Sequence, residues 1–239
     1  TSMKQHLINV YIFLIFTSGS IFSQVTSEQI HYGASSLSMA ASDIALPKTS
    51  WSAFVNSAGI VDQQGLTFVA SSQSHFSQDF LSHSLFGVQF KNSKYGSFGI
   101  SFENSSVDYS GNNLATETAI GIHQGISLRS DRNSSFSFGY GLKSYTVDYG
   151  SSAGPSGDGS DGIELGSLNA FGLDVSFLGS LGKRIKVGAK ALNINSPTLG
   201  NANLATRLPQ RSQIGLAYSP YDLVWTTAAL NKSVGHPTN

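Results

Sequence analysis

Along most of the chain apolar side chains recur at every second position, the periodicity of a strand with two unlike faces. Phe98, Ile100 and Phe102 alternate with Gly99, Ser101 and Glu103. Ile120, Ile122, Ile126 and Leu128 alternate with Gly121, His123, Gly125, Ser127 and Arg129, and Gln124 is the one polar residue on the apolar side. Phe136, Phe138, Tyr140 and Leu142 are interleaved with Ser137, Gly139, Gly141 and Lys143, and Phe171, Leu173, Val175 and Phe177 enclose Gly172, Asp174 and Ser176. Ile185, Val187, Ala189 and Ala191 alternate with Lys186, Gly188 and Lys190, while Ile214, Leu216 and Tyr218 enclose Gly215 and Ala217. Weaker runs at Leu66 to Ser72, Leu85 to Phe90 and Leu223 to Leu230 bring the predicted strands to about nine. Many approach the roughly 9–11 residues of a tilted membrane strand rather than the 5–6 usual in soluble sheets.

The links between these runs alternate in length. Lys91 to Tyr95, Asp131 to Ser134, Ser180 to Lys183 and Ser219 to Asp222 are short, whereas Asn104 to Thr116, Asp148 to Glu164 and Ser196 to Leu208 are long. Short turns on one rim and long loops on the other mark outer-membrane barrels, whose short turns face the periplasm. An exported β-sandwich explains the alternation but not the sorting of loops. Hydrocarbon supplies no hydrogen-bond partners, so a sheet persists there only when closed, with its apolar side chains outward. The expected fold is all-β, an antiparallel transmembrane β-barrel over residues 66–239. Its lumen-facing polar residues are Glu103, His123, Arg129, Lys143, Asp174, Lys186 and Lys190, and Tyr145, Tyr149, Tyr218, Tyr221 and Trp225 suit the interface girdles.

Composition sharpens this picture. Only 12% of the chain is charged, about half of what soluble domains carry. Its 14 basic and 14 acidic residues cancel, so the basic face that nucleic acid requires is missing from the charge pattern. The absence of cysteine excludes disulfides, thiol catalysis and cysteine metal sites. At the N-terminus Lys4, the apolar run Leu7 to Phe16 and the small polar stretch Thr17 to Ser23 read as a secretory signal peptide over 1–23, cut before Gln24 or after Ser20. With no cysteine after that run, a lipoprotein anchor is excluded. Thr1 and Ser2 before Met3 suggest a reading frame translated from upstream of the true start. Residues 24–65 lack strand periodicity and are expected to form a plug, or hatch, in the lumen.

Catalytic constellations are weak. The six histidines stand apart, without the i, i+4 spacing of a helical zinc site, and no phosphate-binding loop is present. His75 and His83 flank a loop, where two solvated histidines are a simpler reading than a metal pair. Asp158, Asp161 and Glu164 in a Gly-rich stretch form a weak Ca²⁺ candidate, with a hydrated loop the simpler reading. His123 with Ser127 or Ser137 is the one arrangement a lipase-type barrel enzyme could use. No enzymatic activity and no cofactor are expected.

Several segments carry a resemblance. YGASSLSMAASDIAL, Tyr32 to Leu46, followed by WSAFVNSAGI, Trp51 to Ile60, resembles the N-terminal pattern of the FadL/TodX-type outer-membrane transport superfamily, closest to its PorV/PorQ-like branch, in which a small-residue run precedes an N-P-A-G element. Asn56, Ala58 and Gly59 match that hatch motif; Ser57 stands where the family has proline, and Ser38, Ala40 and Ala41 replace its small-residue glycines. The hairpin Phe171 to Gly200, with Asp174 and Asn193 at equivalent places, and the strand LPQRSQIGLAYSP, Leu208 to Pro220, are similar to later family elements.

The resemblance implies a 14-strand barrel, against about nine strands here, so the chain is expected to lack C-terminal strands; the ending at Asn239 also lacks the terminal aromatic usual for assembly. It implies a location in the outer membrane of a Gram-negative bacterium, with membrane lipid and the barrel-assembly machinery as partners. Two functions follow from it: hatch-gated passage of hydrophobic small molecules, with Phe76, Phe80, Leu81 and Leu114 as loop contacts, or a type IX secretion component binding secreted proteins or the surface-attachment complex.

Overall fold

The computed structural model describes residues 32–46, 50–74, 80–92, 94–109, 112–152, 154–155, 157, 161–182, 184–200, 206–221 and 224–234. Two short helices, α1 (Gly33–Ser38) and α2 (Ser52–Val55), and a 3-10 turn (Ser57–Asp62) precede the strands. The strands are β1 (Leu66–Ser74), β2 (Leu81–Asn92), β3 (Gly96–Tyr109), β4 (Asn112–Ser130), β5 (Ser134–Ser151), β6 (Glu164–Leu181), β7 (Ile185–Leu192), β8 (Thr198–Leu199), β9 (Thr206–Arg207), β10 (Gln210–Tyr221) and β11 (Val224–Val234). Nine of them form one antiparallel sheet in the order β1-β2-β3-β4-β5-β6-β7-β10-β11, and β8 pairs with β9 beside it. No helix among the described residues is long and apolar enough to cross a membrane.

Among the described residues each alternating run falls within one of the nine strands, but several strands are much longer than their runs. The stretch Asn104 to Thr116, expected as a long loop, is instead mostly the paired ends of β3 and β4, which remain in register to Tyr109 and Asn112. β4, β5 and β6 reach 19, 18 and 18 residues, or about 60 Å at roughly 3.4 Å per residue.

The two faces of the sheet differ, and the difference reverses along the strands. On one face the register sets Phe68 beside Val88, Val88 beside Ile100, Ile100 beside Ile122, Ile122 beside Leu142 and Leu142 beside Leu173, and most of these side chains are exposed. This bare apolar belt continues through Val187, Leu216 and Ile214. Gln124, the polar fault in the pattern, lies in the belt opposite Tyr140, whose hydroxyl donates to its Oε1, while its own amide donates to the Tyr95 carbonyl. The belt ends at the row of Ile120, Ser144 and Phe171; in the next rows the same face carries Thr118, Thr146 and Asn169, then Thr116, Asp148 and Ser167. There the apolar residues pass to the opposite face, as Ala119, Tyr145, Val147 and Ala170.

That opposite face is covered by the segment from Tyr32 to Asp62. Tyr32, Ala53, Phe54, Val55, Ile60 and Leu85 bury one another, with Trp51 and Val69 against them. Backbone meets backbone where the strands offer glycine: a Cβ on Gly139 would run into the Ala58 amide and the Ser57 carbonyl carbon, and one on Gly188 into the Ile44 carbonyl. A side chain at either position would hold the segment off the sheet.

Candidate functional site

The site is the covered face together with the segment on it. α2 and the 3-10 turn meet at Asn56, an extended residue (φ −159°, ψ 102°) whose Oδ1 caps the turn by accepting from the Ala58 amide at 3.1 Å. Asparagine suits this place because its short side chain satisfies an orphan amide at a helix start while its amide nitrogen still donates. That nitrogen donates to the Ile44 carbonyl at 2.9 Å and the Phe177 carbonyl at 3.1 Å. Asn56 thus ties the segment to itself and to β6. Replacing it with alanine strands buried polar groups, each worth about 1–3 kcal/mol; urea unfolding of N56A is expected to show a loss in that range, with the segment becoming cleavable by protease in the otherwise folded protein.

Other strands grip the segment through side chains. The Ala58 amide also donates to Ser176 Oγ at 3.0 Å, and Ser57 Oγ is 3.1 Å from His123 Nδ1. Gln89 of β2 accepts from the Ala53 amide and donates to the Ser50 carbonyl, and Gln213 of β10 donates to the Ala41 carbonyl at 2.6 Å. Ser42 Oγ and Thr227 Oγ1 of β11 are 2.7 Å apart. At the start of the segment the Lys190 ammonium lies 5.3 Å from the centroid of the Tyr32 ring, a cation–π distance. Burial, with the Glu103 carboxylate nearby, raises the Tyr32 phenol well above its ordinary value, so it stays protonated.

Beneath the segment the sheet carries a buried polar cluster. Lys143 Nζ donates to Glu103 Oε1 at 3.1 Å and lies 3.9 Å from Asp174 Oδ2, and all three side chains are almost completely removed from solvent. His123 sits between Gly121 and Gly141, with Nε2 2.8 Å from Ser101 Oγ. Asp174 Oδ1 accepts from the Asn193 amide at 2.9 Å, and the Asn193 side chain donates to the Pro209 carbonyl. The link after β7 therefore folds inward, setting Leu199 and Leu208 onto Ala119, Tyr145, Val147 and Ala170. At the opposite rim a cavity of about 450 Å³ opens below the 3-10 turn, between Val61, Asp62, Lys91, Lys94, Tyr95 and Ser137.

Glu103, His123, Lys143 and Asp174 converge in the cluster, and Lys190 joins it through Tyr32. Lys186 stands apart, its ammonium 4.3 Å from the centroid of the Trp225 ring. Arg129, expected in the lumen, is not on the covered face. A bulge between Ser127 and Arg129 shifts the register so that Arg129 pairs with Phe136 of the belt, and its guanidinium binds Asp131 at 2.6 Å at an exposed turn. Tyr145, expected at a girdle, is buried on the covered side. Phe80, Leu81 and Leu114 lie at the far ends of β2 and β4, where the Phe80 carbonyl accepts from the Asp108 amide; Phe76 lies outside the described residues. So do His75 and Asp158. Asp161 is exposed, Glu164 begins β6 opposite Ser151, and no three metal-ligating side chains converge among the described residues. His83 is buried against Ser105, with Nδ1 2.6 Å from Oγ.

Sequence reasoning missed Gln89, Gln213 and Thr227 as holders of the segment. Their polarity at lumen-phase positions was the available signal, but it is the same signal that a water-filled lumen produces. Compared with protein-family models, curated proteins and solved structures, the chain matches none.

Proposed function

We propose that this chain is an outer-membrane β-barrel protein of the FadL/PorV type, in which residues 32–62 form a hatch that controls passage of hydrophobic small molecules. The bare belt is the lipid-facing surface in this reading, and the polar rows beyond it stand in water on the extracellular side. The observation that carries the proposal is the fixing of the segment to the covered face by hydrogen bonds from five strands, at Gln89, His123, Ser176, Gln213 and Thr227. Such bonds hold a closed state yet are exchangeable for water when the segment moves, as a gate requires. The cavity below the 3-10 turn provides an aqueous exit on the short-turn, periplasmic side. No reaction is catalysed in this scheme.

A second reading, a type IX secretion component that binds secreted proteins, is favoured by one specific feature: β4, β5 and β6 project well past the belt with polar outer rows, a surface suited to a protein partner.

A crosslink separates the two. The chain has no native cysteine, and the Ser42 and Thr227 hydroxyls are 2.7 Å apart, so S42C/T227C places two thiols where a disulfide forms with little backbone movement. In the full-length protein, oxidation is expected to cut uptake of a hydrophobic probe such as radiolabelled toluene or oleate to background, and reduction to restore it. Unchanged uptake in the oxidised protein overturns the gating role. Loss of secretion with uptake unaffected supports the second reading.

A further inference from the structure

The two ends of β3 to β6 differ in charge. On the long-loop side, residues 104–118 and 144–170 hold Asp108, Glu117, Asp148, Asp158, Asp161 and Glu164 and no lysine or arginine. On the short-turn side, Arg129, Arg132 and Arg184 stand against Asp131 alone among the described residues of the turns that join β4 to β5 and β6 to β7. Arg129 is bound to Asp131, and no described carboxylate pairs with Arg132 or Arg184, both of which are exposed.

Backbone sets these two cations on neighbouring, fastened turns. The Gly182 amide donates to the Asn133 carbonyl, next to Arg132, at 2.6 Å, and the Ser219 amide donates to the Arg184 carbonyl at 2.8 Å. Ser135 Oγ and Ser180 Oγ, 2.6 Å apart, tie β5 to β6 directly behind the turns. On the bare face beside them Phe136, Phe177, Leu181 and Ile185 are exposed, and the Phe136 and Phe177 rings stack with centroids 6.0 Å apart. Gly179, paired with Phe136 on one side and Val187 on the other, puts no side chain between them, and a Cβ there would meet nothing nearer than 3.7 Å. The result is a shallow furrow in the apolar face beside the arginines.

We infer that Arg132 and Arg184 bind the phosphate of an anionic phospholipid such as phosphatidylglycerol, whose acyl chain lies in the furrow over Gly179. The inference rests on the outer-membrane reading above and names the lipid held at its periplasmic rim. Guanidinium forks match phosphate oxygens two at a time, and basic groups at the edge of a membrane-spanning surface recognise anionic head groups. A soluble anion leaves the apolar row bare, and a zwitterionic head group brings a cation of its own to the arginines. Because short turns face the periplasm, the leaflet they meet is the phospholipid one, and lipid A is not the partner.

The test is native mass spectrometry of the full-length protein released from detergent micelles that contain one additive at a time. The additives are phosphatidylglycerol, phosphatidylethanolamine with the same chains, lipid A, and glycerol phosphate, which has the anion without the chains. Retention of phosphatidylglycerol is expected to exceed that of phosphatidylethanolamine and to fall roughly thirtyfold in R132Q/R184Q. R132K/R184K, which keeps the charges and loses the forks, is expected to fall only a few-fold. If the double glutamine variant does not assemble, R184Q alone is read for the same direction at smaller size. Equal retention of the two phospholipids, a preference for lipid A, glycerol phosphate held as tightly as phosphatidylglycerol, or unchanged retention in the glutamine variant overturns the inference and leaves the outer-membrane reading standing. A full-length protein that stays in the aqueous phase without detergent and enters no lipid vesicle overturns both.

Discussion

Replacing Lys143 with alanine is expected to destabilise the protein by about 3–5 kcal/mol, the usual consequence of removing one partner from a buried ion pair. Glu103 and Asp174 both face the Lys143 ammonium, and Lys143 and Glu103 have side chains only 4% and 1% exposed. Without the ammonium, two carboxylates remain in a space closed by the hatch and by the Asn193 link, where water cannot restore their solvation. The midpoint of urea unfolding in detergent micelles checks this directly. The triple variant E103Q/K143M/D174N is expected to recover a large part of the loss, because a buried ionic cluster replaced by uncharged groups of similar volume is often neutral. A K143A midpoint equal to that of the unaltered protein would mean that water reaches the cluster.

Substituting Gly139 with valine is expected to force the covering segment off the sheet while leaving the strands paired. The new Cβ would overlap the Ala58 amide and the Ser57 carbonyl carbon, and backbone has no rotamer by which to move aside. Overpacking alone costs about 1–3 kcal/mol, and the Ser57–His123 and Ala58–Ser176 hydrogen bonds are lost with it. Protease is expected to remove residues 32–62 from G139V under conditions that spare the unaltered protein, and on the transport reading proposed above uptake of hydrophobic probe is expected to rise. Gly179 is the control. It belongs to the bare face, and a Cβ there meets only Phe136 Cδ2 at 3.7 Å and the Ser135 carbonyl at 3.9 Å, ordinary contacts that predict little change in G179A.

The contrast between these glycines explains what could be read from the sequence. Alternation located all nine strands of the sheet, because a half-exposed strand must keep unlike residues on its two sides. It underestimated their length because the apolar phase slips by one position: on β5 it runs through Phe136, Phe138, Tyr140 and Leu142, then resumes at Tyr145 and Val147. A pattern followed in one phase stops at Leu142 although the strand continues to Ser151. The slip is the reversal of faces itself, which puts polar residues on the bare face and apolar ones on the covered face beyond the belt. Arg129 was misassigned for a related reason, since a bulge with no glycine or proline to announce it changes the face without changing the alternation. In the covering segment, Asn56, Ala58 and Gly59 were singled out by their resemblance to a motif, whereas Ser57 registered only as a departure from it. Its hydroxyl is what meets His123, a pairing across 66 residues that spacing alone does not encode.

On the outer-membrane reading proposed above, the reversal of faces also gives the molecule a preferred depth and a preferred membrane. On β6 the bare apolar face extends from Phe171 to Leu181, about 34 Å along the strand and roughly 24 Å along the bilayer normal at a tilt near 45°. A slip of one strand step outward brings hydrated Thr118, Thr146 and Asn169 toward hydrocarbon, and a slip the other way lifts Ile120 and Phe171 into water. Either movement is opposed along the whole width of the sheet at once. In that reading the strands fit a thin bilayer and mismatch a thick one, which makes membrane thickness a sorting signal for the chain.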